Sequence, residues 1–179
     1  MVLILKRLRE VFWKTVIYGK WVFYAFRKRG VEVGQRVPDF TLLDIYGRSV
    51  TLSDFFPEKA VVLWLTNLCS SCEERIGILE KVYEGKRDSL EVIAISTLGD
   101  DRATPEKILK THSIKFPLLL DPEDWVYRKL GLEHPEGTCP LYNLLILDRF
   151  GKVAFRHHLS AFSDEKFMSV LQAVLKQGY

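Results

Sequence analysis

Two of the three cysteines in this chain have the spacing of a redox or metal-binding pair. Cys69 and Cys72 are separated by two serines, and the third cysteine, Cys139, lies far along the chain. The CxxC spacing is typical of disulfide exchange and of metal sites. Three cysteines cannot supply a four-cysteine zinc site, and no nearby pair of histidines completes a mixed one. We therefore expect a redox pair that uses neither a metal nor a cofactor.

The elements on either side of the pair indicate how it would react. Residues 60–65 form a continuous apolar run, typical of a strand buried on both faces, and residues 70–83 have apolar side chains at helical spacing. Cys69 then falls at the first turn of a helix, where unpaired N–H groups and the helix dipole stabilise a thiolate. Cys72 lies one turn further along the same face. The pattern predicts that Cys69 attacks a disulfide and that Cys72 resolves the mixed disulfide.

Strand-like and helical segments alternate along residues 31–179, which we expect to form one domain. Two hairpin signals, each a short polar turn with a glycine between strand-like runs, lie near its start and its end. This order predicts an α/β fold with a mixed central sheet flanked by helices. The expected strands are 40–43, 49–52, 60–65, 90–95, 116–120, 141–147 and 153–157, and the expected helices are 70–83, 105–112 capped by Thr104, 125–130 and one capped by Ser163.

Four stretches of the sequence carry a resemblance to known proteins. They are Val37-Pro38-Asp39-Phe40 with Leu52-Ser53-Asp54-Phe55 after it, residues 61–72, residues 116–121, and Cys139-Pro140 with residues 146–152 after it. Together they resemble the thioredoxin-like AhpC/TSA and TlpA/ResA superfamily over residues 34–177. The resemblance implies a thioredoxin fold with an N-terminal β-hairpin and a βα insertion. It also implies a thiol–disulfide oxidoreductase whose partners are protein thiols and disulfides.

The resemblance further implies a role for the loop that contains Pro140. In the superfamily this proline follows a cis peptide bond and faces the cysteine pair, so the loop can hold a substrate strand by backbone hydrogen bonds. Three positions depart from the usual pattern: Arg75 replaces a glutamate, Gly77 a helix-kinking proline and Leu68 a tryptophan. These departures concern the partner and the redox potential more than the type of reaction.

Cys139 directly precedes this proline, so its thiol is expected near Cys69. One hypothesis is that Cys139 traps or relays a disulfide. The alternative is that it is a small buried side chain with no chemical role. A metallochaperone that binds copper through the same cysteines is a further alternative.

Three residues near the pair are candidates for supporting roles. Thr66 lies three residues before Cys69, as in the TxxC motif of peroxiredoxins, and a thiol peroxidase is therefore the alternative function. The proline and the arginine that accompany this motif are absent, because Val62 and the Tyr142-Asn143 segment occupy their places. Trp64 is expected to pack beside the helix that follows the pair, and Glu73 supplies a nearby carboxylate.

The histidines are not expected to take part in the chemistry. His157 and His158 are adjacent on a predicted strand, so their side chains should point to opposite faces and not share a metal. We interpret both as surface or edge residues.

Residues 1–30 form a strongly basic segment, with eight Lys or Arg and one Glu, whereas residues 31–179 carry a net charge of −4. Residues 3–29 have apolar side chains at helical spacing, with basic and aromatic residues on the other side. Such a helix suits an anionic membrane surface, so we expect the protein to be membrane-associated. Packing of the helix on the domain or on a second copy, and a single-span anchor, are alternatives; no nucleic-acid partner is expected.

Overall fold

The computed structural model describes residues 30–99, 101–135, 138–161 and 163–177. Seven strands in this part of the chain form one mixed sheet. They are β1 (Thr41–Asp44), β2 (Ser49–Thr51), β3 (Ala60–Thr66), β4 (Leu90–Ser96), β5 (Leu118–Leu120), β6 (Leu144–Leu147) and β7 (Val153–His157). Their spatial order is β2-β1-β5-β4-β3-β6-β7. The predicted hairpins are β1–β2 and β6–β7, both antiparallel.

β3 lies inside the sheet and leads directly into the cysteine pair. It pairs in parallel with β4 and antiparallel with β6, and all of its residues are buried. Its side chains alternate between two apolar cores: Val62 and Trp64 face one core, and Val61 and Leu63 face the other. The apolar run is therefore a strand covered on both faces, as the sequence predicts.

Helices cover both faces of the sheet, as predicted. They are α1 (Ser70–Glu73), α2 (Ile76–Lys86), α3 (Ala103–His112), α4 (Trp125–Lys129) and α5 (Asp164–Gln177). α2, α3 and α5 contribute to the core that contains Trp64, and α4 packs on the opposite core with residues of the N-terminal hairpin region. This placement leaves the carboxyl end of β3 and the short helix α1 at one edge of the sheet, where the cysteines lie.

The single helix predicted over residues 70–83 is wrong, because the chain breaks between α1 and α2. Arg75 has φ −95° and ψ −6°, and its N–H donates to the carbonyl of Cys72 in a tight turn at 3.0 Å. The Arg75 side chain forms an ion pair with Asp164, at 2.6 Å, at the start of α5. Apolar spacing does not reveal this break, because Cys72 and Ile76 are buried on either side of it.

Several element boundaries also differ from the prediction. α3 begins at Ala103 with Arg102 as its N-cap residue, and the carboxylate of Asp101 accepts hydrogen bonds from the N–H and the hydroxyl of Thr104. Thr104 is therefore not the cap. β6 begins at Leu144 instead of residue 141. The loop that contains Cys139 is therefore longer than predicted. Ser163 does cap the last helix, since its hydroxyl accepts from the N–H of Lys166.

The basic segment predicted to bind a membrane, residues 3–29, lies outside the described residues, of which Gly30 is the first. Among the helices that the structure describes, none is both long and apolar enough to cross a bilayer. The membrane association of residues 3–29 and the boundary at residue 30 stay predictions.

Candidate active site

A strained turn carries the chain from β3 to the first cysteine. The N–H of Leu68 donates to the hydroxyl of Thr66 at 3.0 Å, and Leu68 adopts φ 53°, in the left-handed region. That conformation is unfavourable for a side chain with a Cβ and is found most often at functional sites. The turn directs the backbone away from the sheet and places Cys69 at the start of α1.

Cys69 is the N-terminal cap residue of α1 and is exposed to solvent. Its backbone is extended, with φ −69° and ψ 166°, and its carbonyl accepts hydrogen bonds from the N–H groups of Cys72 and Glu73, each at 2.8 Å. The thiol itself makes no capping hydrogen bond. The sulfur is therefore presented at the surface, where a second protein can reach it.

The other two cysteines are buried and in contact with each other. Cys72 is 2% exposed and Cys139 is 6% exposed. Their Sγ atoms are 3.2 Å apart, and all three Sγ atoms lie within 4.8 Å of one another. The structure thus brings Cys139 to the predicted pair, as the sequence anticipates, but its contact is with Cys72, whereas the sequence pointed to Cys69.

Asn67 links the three cysteines and was missed by the sequence analysis. Its side-chain carbonyl accepts from the Cys139 thiol at 2.7 Å and from the N–H of Cys69 at 3.3 Å, and it lies 3.9 Å from the sulfur of Cys72. Its backbone N–H donates to the sulfur of Cys139 at 3.5 Å. The one available signal was a lone amide residue between a buried strand and a CxxC pair.

The two buried thiols ionise as a pair. Their mutual hydrogen bond, together with burial, raises the pKa of Cys72. The same hydrogen bond lowers the pKa of Cys139, in opposition to the effect of burial. The shared hydrogen bond therefore favours a pair with one thiolate and one thiol over a pair with two thiolates.

His158 lies close to the buried thiols, a contact that the sequence did not indicate. A hydrogen bond from its side chain contributes to the lowered pKa of Cys139. Its Nδ1 atom lies 2.9 Å from the hydroxyl of Ser160, which orients the ring. β7 ends at His157, so His158 lies beyond the strand and the alternation of faces does not apply to it. It is half-buried beside the cysteines, whereas His157 is exposed.

The prediction of a cis bond before Pro140 is wrong. Within the described residues the cis peptide bond is Phe56–Pro57, and the Cys139–Pro140 bond is trans. An X–Pro bond is trans by default unless the surroundings select the minority form. Pro140 is buried next to Cys139. The substrate-binding role of this loop stays a prediction.

Thr66 lies at the site but does not have the arrangement expected of a peroxidase motif. Its buried hydroxyl accepts from Leu68 and hydrogen-bonds the thiol of Cys72, which opposes the rise in the pKa of that thiol. Both contacts are to residues other than Cys69. Thr66 therefore supports the turn and the second cysteine.

Trp64 contributes to the core below the cysteine pair, whereas Glu73 forms a contact between two helices. Trp64 is fully buried in the same core as Cys72, as predicted. The carboxylate of Glu73 lies 2.9 Å from Nε2 of His112 in α3. This contact joins α1 to α3, and a supporting role for Glu73 at the cysteines stays a prediction.

The three sulfurs are also a set of soft ligands. Thiolates at this mutual distance suit Cu(I) or zinc, and two of the three are shielded from solvent. The expectation that the protein requires no metal stays a prediction.

Comparison with known proteins gives a consistent family of redox proteins. The AhpC/TSA family model matches residues 33–156. The chain is 26% identical to the thiol-disulfide oxidoreductase ResA of Geobacillus thermodenitrificans over 137 residues, which cover 76% of this chain and 75% of ResA. It is 31% identical to the chloroplastic peroxiredoxin Q of Oryza sativa subsp. japonica over 149 residues, covering 82% of this chain and 67% of that protein.

The fold is also that of solved thioredoxin-like structures. The thioredoxin domain of a thiol-disulfide oxidoreductase from Bacteroides vulgatus superimposes with a TM-score of 0.66 at 21% identity, covering 80% of this chain and 99% of that one. This similarity confirms the predicted thioredoxin fold of the described residues.

Proposed function

This chain belongs to the AhpC/TSA family, and on that premise we propose that it is a thiol–disulfide oxidoreductase that exchanges disulfides with protein partners. The observation that carries the proposal is the pairing of an exposed Cys69 with a buried Cys72 one helical turn away, their sulfurs within 4.8 Å. An exposed sulfur can attack a partner, and a shielded sulfur can only complete the reaction internally.

The proposed reaction has two exchange steps. The thiolate of Cys69 attacks a disulfide of the partner, forms a mixed disulfide and releases one partner thiolate. Cys72 then attacks the sulfur of Cys69, its proton passing to the Cys139 thiolate 3.2 Å away, and the second partner thiolate leaves. The partner gains two electrons and the protein retains the Cys69–Cys72 disulfide. The reverse sequence oxidises a partner dithiol.

The loop before β6 offers a surface for a protein partner. Leu141, two residues after Cys139, is an exposed large apolar side chain, and the Cys139–Asn143 loop lies beside the end of β3, where Leu65 N–H donates to the Asn143 carbonyl at 2.8 Å. An extended segment of a partner can bind here by backbone hydrogen bonds and an apolar contact.

Turnover of insulin disulfides with dithiothreitol as the reductant tests the proposal. We expect wild-type protein to accelerate the reaction, Cys69→Ser to abolish the acceleration, and Cys72→Ser to accumulate a stable mixed disulfide through Cys69. Gln172→Ala, which changes an exposed residue of α5, is the control and should react like wild type. Equal rates for wild type and Cys69→Ser would contradict the proposal.

A thiol peroxidase is the second candidate, favoured by the 31% identity to peroxiredoxin Q and by Thr66 three residues before Cys69. The contacts of the Thr66 hydroxyl with Leu68 and Cys72 argue against it. Stopped-flow oxidation of Cys69 by hydrogen peroxide separates the two functions. A rate close to that of free cysteine supports disulfide exchange, and a rate many orders of magnitude higher supports the peroxidase.

A further inference from the structure

The sheet holds Cys139 against Cys72. β6 pairs antiparallel with β3, so the loop that precedes β6 lies beside the turn that follows β3. The two sulfurs, 3.2 Å apart, come from positions 67 residues apart in the sequence, and both side chains are buried. A disulfide requires their separation to fall by only about 1 Å. This contact is therefore close to a covalent geometry before any oxidation.

The surroundings of Cys139 also prepare it to react. The backbone N–H of Asn67 donates to its sulfur at 3.5 Å, and the side-chain carbonyl of Asn67 accepts from its thiol at 2.7 Å. These contacts hold the sulfur in place beside Cys72. The thiolate is the form that attacks a disulfide. Its nearest sulfur is that of Cys72, which becomes half of the disulfide when a partner has been reduced.

We propose that Cys139 is a third redox residue, which moves the disulfide formed at Cys69–Cys72 inward to Cys72–Cys139. This inference rests on the proposed function, which supplies the first disulfide from a partner. Cys139 first passes the proton that it received from Cys72 to the departing partner thiolate. The thiolate of Cys139 then attacks the sulfur of Cys72, the Cys72–Cys139 bond forms, the Cys69–Cys72 bond breaks, and Cys69 leaves as a thiolate. One disulfide is exchanged for another, so the step consumes no oxidant or reductant.

The relocated disulfide gives the oxidised protein a distinct form. Both of its sulfurs are buried, so dissolved thiols reach it poorly, while Cys69 is again a free thiol at the surface. The disulfide returns to the surface when Cys69 attacks Cys72 and expels Cys139. Cys69 is thus the residue that exchanges disulfides with partners, and the oxidised protein between exchanges contains the Cys72–Cys139 disulfide.

Peptide mapping of the oxidised full-length chain tests the inference. Reduced protein is treated with oxidised glutathione, quenched with acid, alkylated with N-ethylmaleimide under denaturing conditions and digested with trypsin. Cys69 and Cys72 fall in the tryptic peptide 60–75, and Cys139 falls in the peptide 130–149. We expect these two peptides to be cross-linked through Cys72, with N-ethylmaleimide on Cys69. A disulfide confined to peptide 60–75, with alkylated Cys139, would overturn the inference and leave the proposed function intact.

Two further results separate the possibilities. The Cys69→Ser variant, oxidised with diamide, should still form the Cys72–Cys139 cross-link, and two free thiols in the folded variant would overturn the inference. A persistent glutathione adduct on Cys69 of the wild-type chain, with no internal disulfide, would contradict the proposed function itself. Gln172→Ala, at an exposed position of α5, is the control for both measurements and should give the wild-type disulfide pattern.

Discussion

The side-chain carbonyl of Asn67 accepts a hydrogen bond from the thiol of Cys139 at 2.7 Å, which joins the turn after β3 to the loop before β6. The same oxygen accepts from the N–H of Cys69. The Asn67 amide therefore contacts both the exposed Cys69 and the buried Cys139. Substitutions of Asn67 should change the properties of both thiols.

Asn67→Asp should raise the pKa of the Cys139 thiol, because a carboxylate beside a thiolate disfavours its charge. Ultraviolet absorbance of the thiolate, followed against pH in a Cys69→Ser background, measures the effect. Asn67→Ala, which removes the acceptor of the Cys139 thiol and adds no charge, is the control and should shift the titration less. Identical titrations for the two variants would show that charge at this position does not act on Cys139.

His158→Ala should slow formation of the Cys72–Cys139 disulfide severalfold, since His158 helps to lower the pKa of Cys139 and the thiolate is the attacking form. Acid-quench time courses of the cross-linked peptides measure this rate. His157→Ala is the matched control, because its side chain is exposed and stacks on Phe155. If both variants are equally slow, the effect comes from the local backbone and not from the His158 ring.

Thr66→Val should slow the reaction of Cys72 and leave the reaction of Cys69 largely unchanged. The variant removes the acceptor for the buried N–H of Leu68, at a cost of about 1–3 kcal/mol in the free energy of unfolding, and it further raises the pKa of Cys72. We expect the first attack by Cys69 to be retained and the second, resolving step to slow. Single-turnover reaction with a model disulfide, analysed by mass spectrometry, resolves the two steps. Loss of the first step alone would favour the peroxidase arrangement.

Arg75→Glu introduces the residue that the resemblance implied at this position, but it should destabilise this protein. Arg75 is mostly buried and forms an ion pair with Asp164, so a second carboxylate there should reduce the free energy of unfolding by about 1–2 kcal/mol. Urea denaturation measures the change. The double variant Arg75→Glu, Asp164→Arg should recover part of the loss, and strict additivity of the two changes would rule out a direct interaction.

The stability of the reduced protein should depend on pH through the buried pair. In the folded protein the pKa of Cys139 is lowered from the ordinary thiol value of 9.0. At a pH between the native pKa of Cys139 and 9.0, the Cys139 thiol is therefore protonated in the unfolded chain and ionised in the folded one. Stability therefore rises with pH in this window, by at most about 1.4 kcal/mol per pH unit, and is lost as the pH falls through the native pKa of Cys139. Above the ordinary thiol value the raised pKa of Cys72 reverses the slope.

Denaturation of reduced wild type and of Cys139→Ser, at several pH values from mildly acidic to mildly alkaline, checks this expectation. The serine variant should lose the rise, because it keeps the shape of the side chain and removes the ionisable group. A rise of equal slope in both proteins would assign the pH dependence to other groups.

Short-range patterns in the sequence determined the fold class, the buried strand β3, the hairpins and the placement of Cys69 and Cys72 at a strand-to-helix turn. These features follow from the spacing of apolar residues and from helix ends, which involve neighbours only a few positions apart. The break at Arg75 escaped this reasoning, because Cys72 and Ile76 are buried on either side of it and keep the apolar spacing of a continuous helix.

Only the tertiary structure decided what surrounds the cysteines. Pairing of β3 with β6 brings Cys139 onto Cys72, places Asn67 between the loops and leaves His158 beside the thiols. The peptide bond before Pro140 is trans, whereas the resemblance implied a cis bond. Contacts between residues so far apart in the chain arise from strand register and loop packing, and no local pattern of residue types encodes them.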